Sequence, residues 1–60
     1  MNVALSRRVA AVALTETILA LSPAERFEFA AAVDAAESFS RLDKRWQDLI
    51  LAAEREAGLR

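Results

Sequence analysis

Cysteine and histidine are both missing from this chain. Without cysteine there is no disulfide and no thiolate zinc site. Without histidine the commonest metal ligand and general base is lost as well. A single glycine, Gly58, excludes a glycine-rich phosphate loop. Ser22, Ser38 and Ser40 have no candidate base and are read as caps. Asp34 with Glu37, and Glu25 with Glu28, are carboxylates one helical turn apart. Di-metal bundle sites normally add Glu-x-x-His ligands, so these pairs read as solvated helix faces. The expectation is a protein that is not an enzyme, with no cofactor, no metal and no small-molecule substrate.

Proline occurs once, at Pro23, while alanine fills 14 of the 60 positions. Helix breakers are scarce and the best helix former dominates, so the chain reads as all-α. Charge is nearly balanced, with eight basic and nine acidic residues and a net charge of −1. That balance weighs against nucleic acid as a main partner.

The longest apolar run, Val9 to Leu21, follows Arg7-Arg8 in the order of an export signal. Thr15-Glu16-Thr17 interrupts it, and no small-x-small cleavage site follows. It is also shorter than the ~20 residues that span a bilayer. An ordinary helix, a cytoplasmic protein and no membrane partner are expected.

Sixty residues make a single domain, 1–60. So short a chain buries only about 60% of its unfolded surface. With disulfides and metals excluded, helix packing and oligomerisation remain to stabilise it. The pattern predicts a small three-helix domain that self-associates, with helices over about 3–21, 23–37 and 41–57.

Ser22-Pro23-Ala24-Glu25 is the sharpest joint. Ser22 caps, Pro23 suits the first helical position, and Glu25 reaches back to the cap. Ser40 with Asp43 forms a weaker box before the third helix, with Phe39 as a staple. Gly58 closes that helix. Its apolar face is Leu42, Trp46, Leu49, Ile50, Ala53 and Ala57, with Lys44, Arg45, Asp48, Glu54 and Arg55 elsewhere. Lys44 and Asp48 are spaced to pair. Trp46 is the core anchor, although tryptophan is also a frequent interface hot spot. In helix 2, Phe29, Val33 and Ala36 form one stripe and Phe27, Ala31 and Ala35 another. Ala30, Ala31 and Ala32 suit a close crossing against helix 1.

Helix 1 is apolar on two sides at about 100° per residue. Leu5, Val9, Val12 and Leu19 fall on one, and Val3, Ala10, Leu14, Ile18 and Leu21 roughly opposite. A chain this small covers only one of them. Leu5, Val9, Val12, Glu16 and Leu19 form the expected contact set, meeting a second copy or another protein. Glu16 is costly if buried without a partner, so it either pairs across an interface or stays in water.

Arg7 and Arg8 are the only adjacent basic pair and the candidate nucleic-acid contacts. Met1–Ser6 alternates like a short strand, and a strand followed by two helices is the order of ribbon-helix-helix repressors. A dimeric DNA-binding repressor is therefore one alternative, and a small structural subunit of a virion or larger complex is another.

Thr17-Ile18-Leu19-Ala20-Leu21-Ser22-Pro23-Ala24-Glu25-Arg26, followed by Phe29 and Val33, resembles the start of small addiction-module antitoxins. The Trp46–Glu54 segment falls about where that family has a Trp-containing helix. The family's acidic flexible middle and its C-terminal Trp-x-x-Val type segment are missing. The resemblance implies a toxin-neutralising protein whose C-terminal helix grips a partner enzyme. The expected function is a non-catalytic protein–protein interaction of a regulatory or inhibitory kind, antitoxin-like or phage-encoded and host-modulating. It would act by docking an apolar helix face on a partner.

Overall fold

A computed structural model describes residues 2–59. Its helices are α1 (Val3–Ala10), α2 (Glu16–Leu19), α3 (Pro23–Ala35) and α4 (Lys44–Glu56), with a 3-10 turn at Phe39–Arg41 before α4. No strand occurs among the described residues, so the fold is all-α. The molecule measures 25 × 25 × 18 Å. The expected three-helix count is corrected to four α-helices among the described residues.

The correction lies in the first helix. Instead of running over 3–21 it stops at Ala10, and α2 restarts at Glu16. Between them Val12, Ala13 and Thr15 donate to carbonyls three residues back. The Thr15 hydroxyl also donates to the Val12 carbonyl at 2.8 Å. The driving force is burial. On a continuous helix Val12 and Ile18 would point about 120° apart. The break turns both inward, leaving Val12 at 0% and Ile18 at 8% exposure. The two apolar stripes thus fold round one core, and the large residues left outside are Val3, Leu14 and Leu19.

The strand reading of residues 1–6 is also corrected. Met1 lies outside the described residues. From Val3 the backbone is helical, and the Asn2 side chain caps it by accepting from the Leu5 amide at 2.9 Å. Asn2 Nδ2 donates in turn to the Glu37 carbonyl, tying the start of α1 to the segment after α3.

The joint before α3 forms as the sequence predicts. Ser22 Oγ accepts from the Glu25 amide at 3.2 Å, and Glu25 Oε1 accepts from the Ser22 amide at 2.9 Å. The helix ends at Ala35, two residues early, where Ala36 turns extended. The third predicted helix also starts late, at Lys44 rather than Arg41. Leu42 is buried in the core with extended backbone, and Asp43 makes no side-chain cap. Gln47 Nε2 donates instead to the Leu42 carbonyl at 2.8 Å and the Ser40 carbonyl at 3.3 Å. At the far end Gly58 has φ +76°. The Gly58 and Leu59 amides donate to the Arg55 and Glu54 carbonyls, a Schellman closure.

The core contains Leu5, Val12, Ile18, Phe29, Val33, Leu42, Trp46, Ile50 and Ala53. Trp46 and Phe29 meet with ring centroids 5.3 Å apart. The Arg45 guanidinium covers the Trp46 ring at 4.2 Å. No described helix is long and apolar enough to cross a membrane.

Candidate functional site

α1 and α3 touch but leave a gap beside their contact. Ala30 and Ala31 are exposed, and only Ala32 of the expected crossing residues is partly buried. The gap is an open groove of about 400 Å³. Val9, Ile18, Phe29 and Val33 line it together with Ala10 and Ala30, while Ser6, Arg26 and Asp34 supply its polar groups. Its wall is thus apolar and its polar groups carry both charge signs. No group of three or more metal-ligating side chains gathers among the described residues.

One wall depends on α2, whose four residues are far too few to hold a helix alone. Side chains from two other helices fasten it. Glu56 of α4 accepts from the Thr17 amide at 3.1 Å and the Thr17 hydroxyl at 2.8 Å. These bonds hold the Glu56 carboxyl below its ordinary range, the backbone bond first and the hydroxyl second. At the other end Arg26 of α3 donates to the Leu19 carbonyl at 2.6 Å and the Leu21 carbonyl at 3.1 Å. An acid at the N-terminus and a base at the C-terminus also suit the helix dipole.

The structure scatters the expected contact set. Leu5 and Val12 are core residues, with 3% and 0% exposure, so the folded chain does not offer them to a partner. Val9 is half-buried and lines the groove. Glu16 is exposed at the start of α2, and Leu19 is half-exposed. These five do not form one face, because the break after Ala10 turns the latter part of the stripe away.

Arg8 is likewise committed within the chain. Its Nε donates to Glu54 Oε2 at 2.7 Å and its Nη2 to Oε1 at 2.9 Å. Its guanidinium also lies 4.1 Å from the centre of the Phe39 ring. The hydrogen bond with Glu54 is the main cause raising the Arg8 pKa. Arg7 is exposed. The adjacent basic pair therefore does not present two free charges to nucleic acid.

Glu54 is the residue that sequence reasoning missed. The chain buries Glu54, at 5% exposure, while Glu16 stays in water. Its register carried the signal: Glu54 follows Ile50 by four positions and so shares the core face. The groove was missed because its walls come from three helices whose crossing no local pattern fixes.

No protein-family model, curated protein or solved structure matches this chain.

Proposed function

We propose that this chain is a non-catalytic protein–protein interaction module, regulatory or inhibitory, that seats an apolar helical segment in the groove between α1, α2 and α3. The observation that carries the reading is the groove itself. It is open and apolar-walled, with Ser6, Arg26 and Asp34 among its lining residues. Helix-in-groove recognition uses this division, with apolar anchors for affinity and polar groups for register and choice of partner. The likeness of Leu21-Ser22-Pro23-Ala24-Glu25-Arg26 to antitoxin joints is in keeping with an inhibitory role. The groove, rather than α4, is the surface offered, because Trp46, Ile50 and Ala53 of α4 are occupied in the core.

The test is a substitution that fills the groove without touching the core. Ala30 is exposed and lines it. Ala30→Arg should keep the helical circular dichroism and lose the partner that the native chain retains from its own cells. Equal retention by both proteins would show that partners dock elsewhere.

A further inference from the structure

We infer that the occupant of the groove is a second copy of this chain, seated across a two-fold axis at Ala30 with the two α3 helices antiparallel; this rests on the reading of the groove as a protein-docking site. Pro23, Arg26, Phe27, Ala30 and Asp34 follow one another at helical spacing and make one stripe along α3. All five are exposed or half-exposed. Phe27 is the stripe's one large apolar side chain, 79% exposed. Arg26, Ala30 and Asp34 also line the groove, so the stripe and the groove are neighbours on the same helix.

The charges decide the partner. A two-fold interface places the same patch on both sides, so each contact occurs twice. With the axis at Ala30, residue numbers across the interface sum to twice that position. Arg26 then faces Asp34 of the second copy, and Asp34 faces its Arg26. Phe27 lies about 60° round the helix from Ala30, on the side of the exposed Ala31, and packs beside Ala31 of the second copy. The pattern is complementary to itself only in the antiparallel sense; a parallel pair would set Arg26 against Arg26.

The remaining valences agree. Asp34 has no side-chain hydrogen bond or ion pair among the described residues. Arg26 uses Nε and Nη2 on the end of α2, which leaves Nη1 for a carboxylate. Ala30 at the axis lets the two backbones approach closely, and each Phe27 leaves water beside Ala31 of the other copy.

Charge reversal tests this directly. The native chain should sediment as a dimer. Asp34→Arg sets Arg26 against a second guanidinium at both contacts, and should raise the dimer dissociation constant about a hundredfold, since like charges in contact cost several kcal/mol. Arg26→Glu should do the same. Mixing the two variants sets a cation against a carboxylate at both contacts, so a heterodimer should form where neither variant dimerises alone. Because Arg26→Glu also removes a tie to α2, its folding is checked by circular dichroism.

A second probe does not depend on that variant. The chain has no cysteine, so Ala30→Cys introduces a lone thiol at the axis. It should form a disulfide dimer under mild oxidation, while Ala52→Cys on the exposed side of α4 should not. A native monomer at every concentration, or equal cross-linking at both positions, would overturn the inference. If Ala30→Arg still loses another partner in that case, the groove reading survives and only its self-pairing fails.

Discussion

Arg8 and Glu54 lie 46 positions apart in the chain, yet they form the most enclosed ion pair among the described residues. The Arg8 side chain keeps 25% of its surface in water and Glu54 only 7%. Their substitutions should therefore be unequal. Arg8→Met removes two hydrogen bonds from a buried carboxylate and should cost about 2 kcal/mol. Glu54→Gln leaves a cation that can turn toward solvent, and should cost about 1 kcal/mol. Urea unfolding followed by Trp46 fluorescence measures both, and equal losses would contradict this account. At this scale the sequence was partly legible. Trp46, Ile50 and the Ser22 cap could be read from spacing, because each depends on neighbours within one or two turns. The Arg8–Glu54 pair could not, because it depends on how α1 crosses α4.

α2 and α3 show how differently two helices come to exist. α3 carries its own start signal, so Ser22→Ala should lower stability by about 1 kcal/mol, the usual worth of an N-cap. α2 takes its fastenings from elsewhere, so Glu56→Gln should accelerate amide hydrogen exchange over 17–20 while leaving α3 protected. Acid should act on both. Bonds from Ser22 hold the Glu25 carboxyl below its ordinary range, first through the Ser22 amide and then through its hydroxyl, and bonds from Thr17 do the same for Glu56. A carboxyl lowered in the folded state stabilises it above the unfolded pKa, and that contribution is lost as pH falls through the folded value. Thermal melts should decline below the ordinary carboxylate range, with a shallower decline in Glu56→Gln. The capped joint was legible because a capping box is local chemistry. The break within residues 3–21 was not, since every residue there tolerates a helix and only the shared burial of Val12 and Ile18 forbids one.

For the whole molecule, 60 residues correspond to a stability of roughly 3–9 kcal/mol. Ile50 is fully buried at the centre of the core. Ile50→Ala should cost about 3 kcal/mol, and circular dichroism should show a melting midpoint far below that of the native chain. An unchanged midpoint would mean the core lies elsewhere. The all-α class followed from composition. The arrangement did not, because the groove is lined by α1, α2 and α3 together and has no counterpart in any single helix. The sequence pattern places uncovered apolar surface on helix 1, and Val3, Leu14 and Leu19 are exposed there. The sequence did not single out Phe27 of α3, which is 79% exposed, or the groove beside that helix.

The borrowed fastenings of α2 also set an order of events in time. α3 can nucleate from its own residues, whereas α2 must wait until α4 brings Glu56 to it from 39 positions away. Local contacts form before distant ones repay their loop closure. The α2 wall of the groove should therefore assemble after α3 and be lost before it. Losing the Glu56 tie should quicken unfolding with little effect on refolding, and any occupant of the groove should lengthen the lifetime of the folded chain.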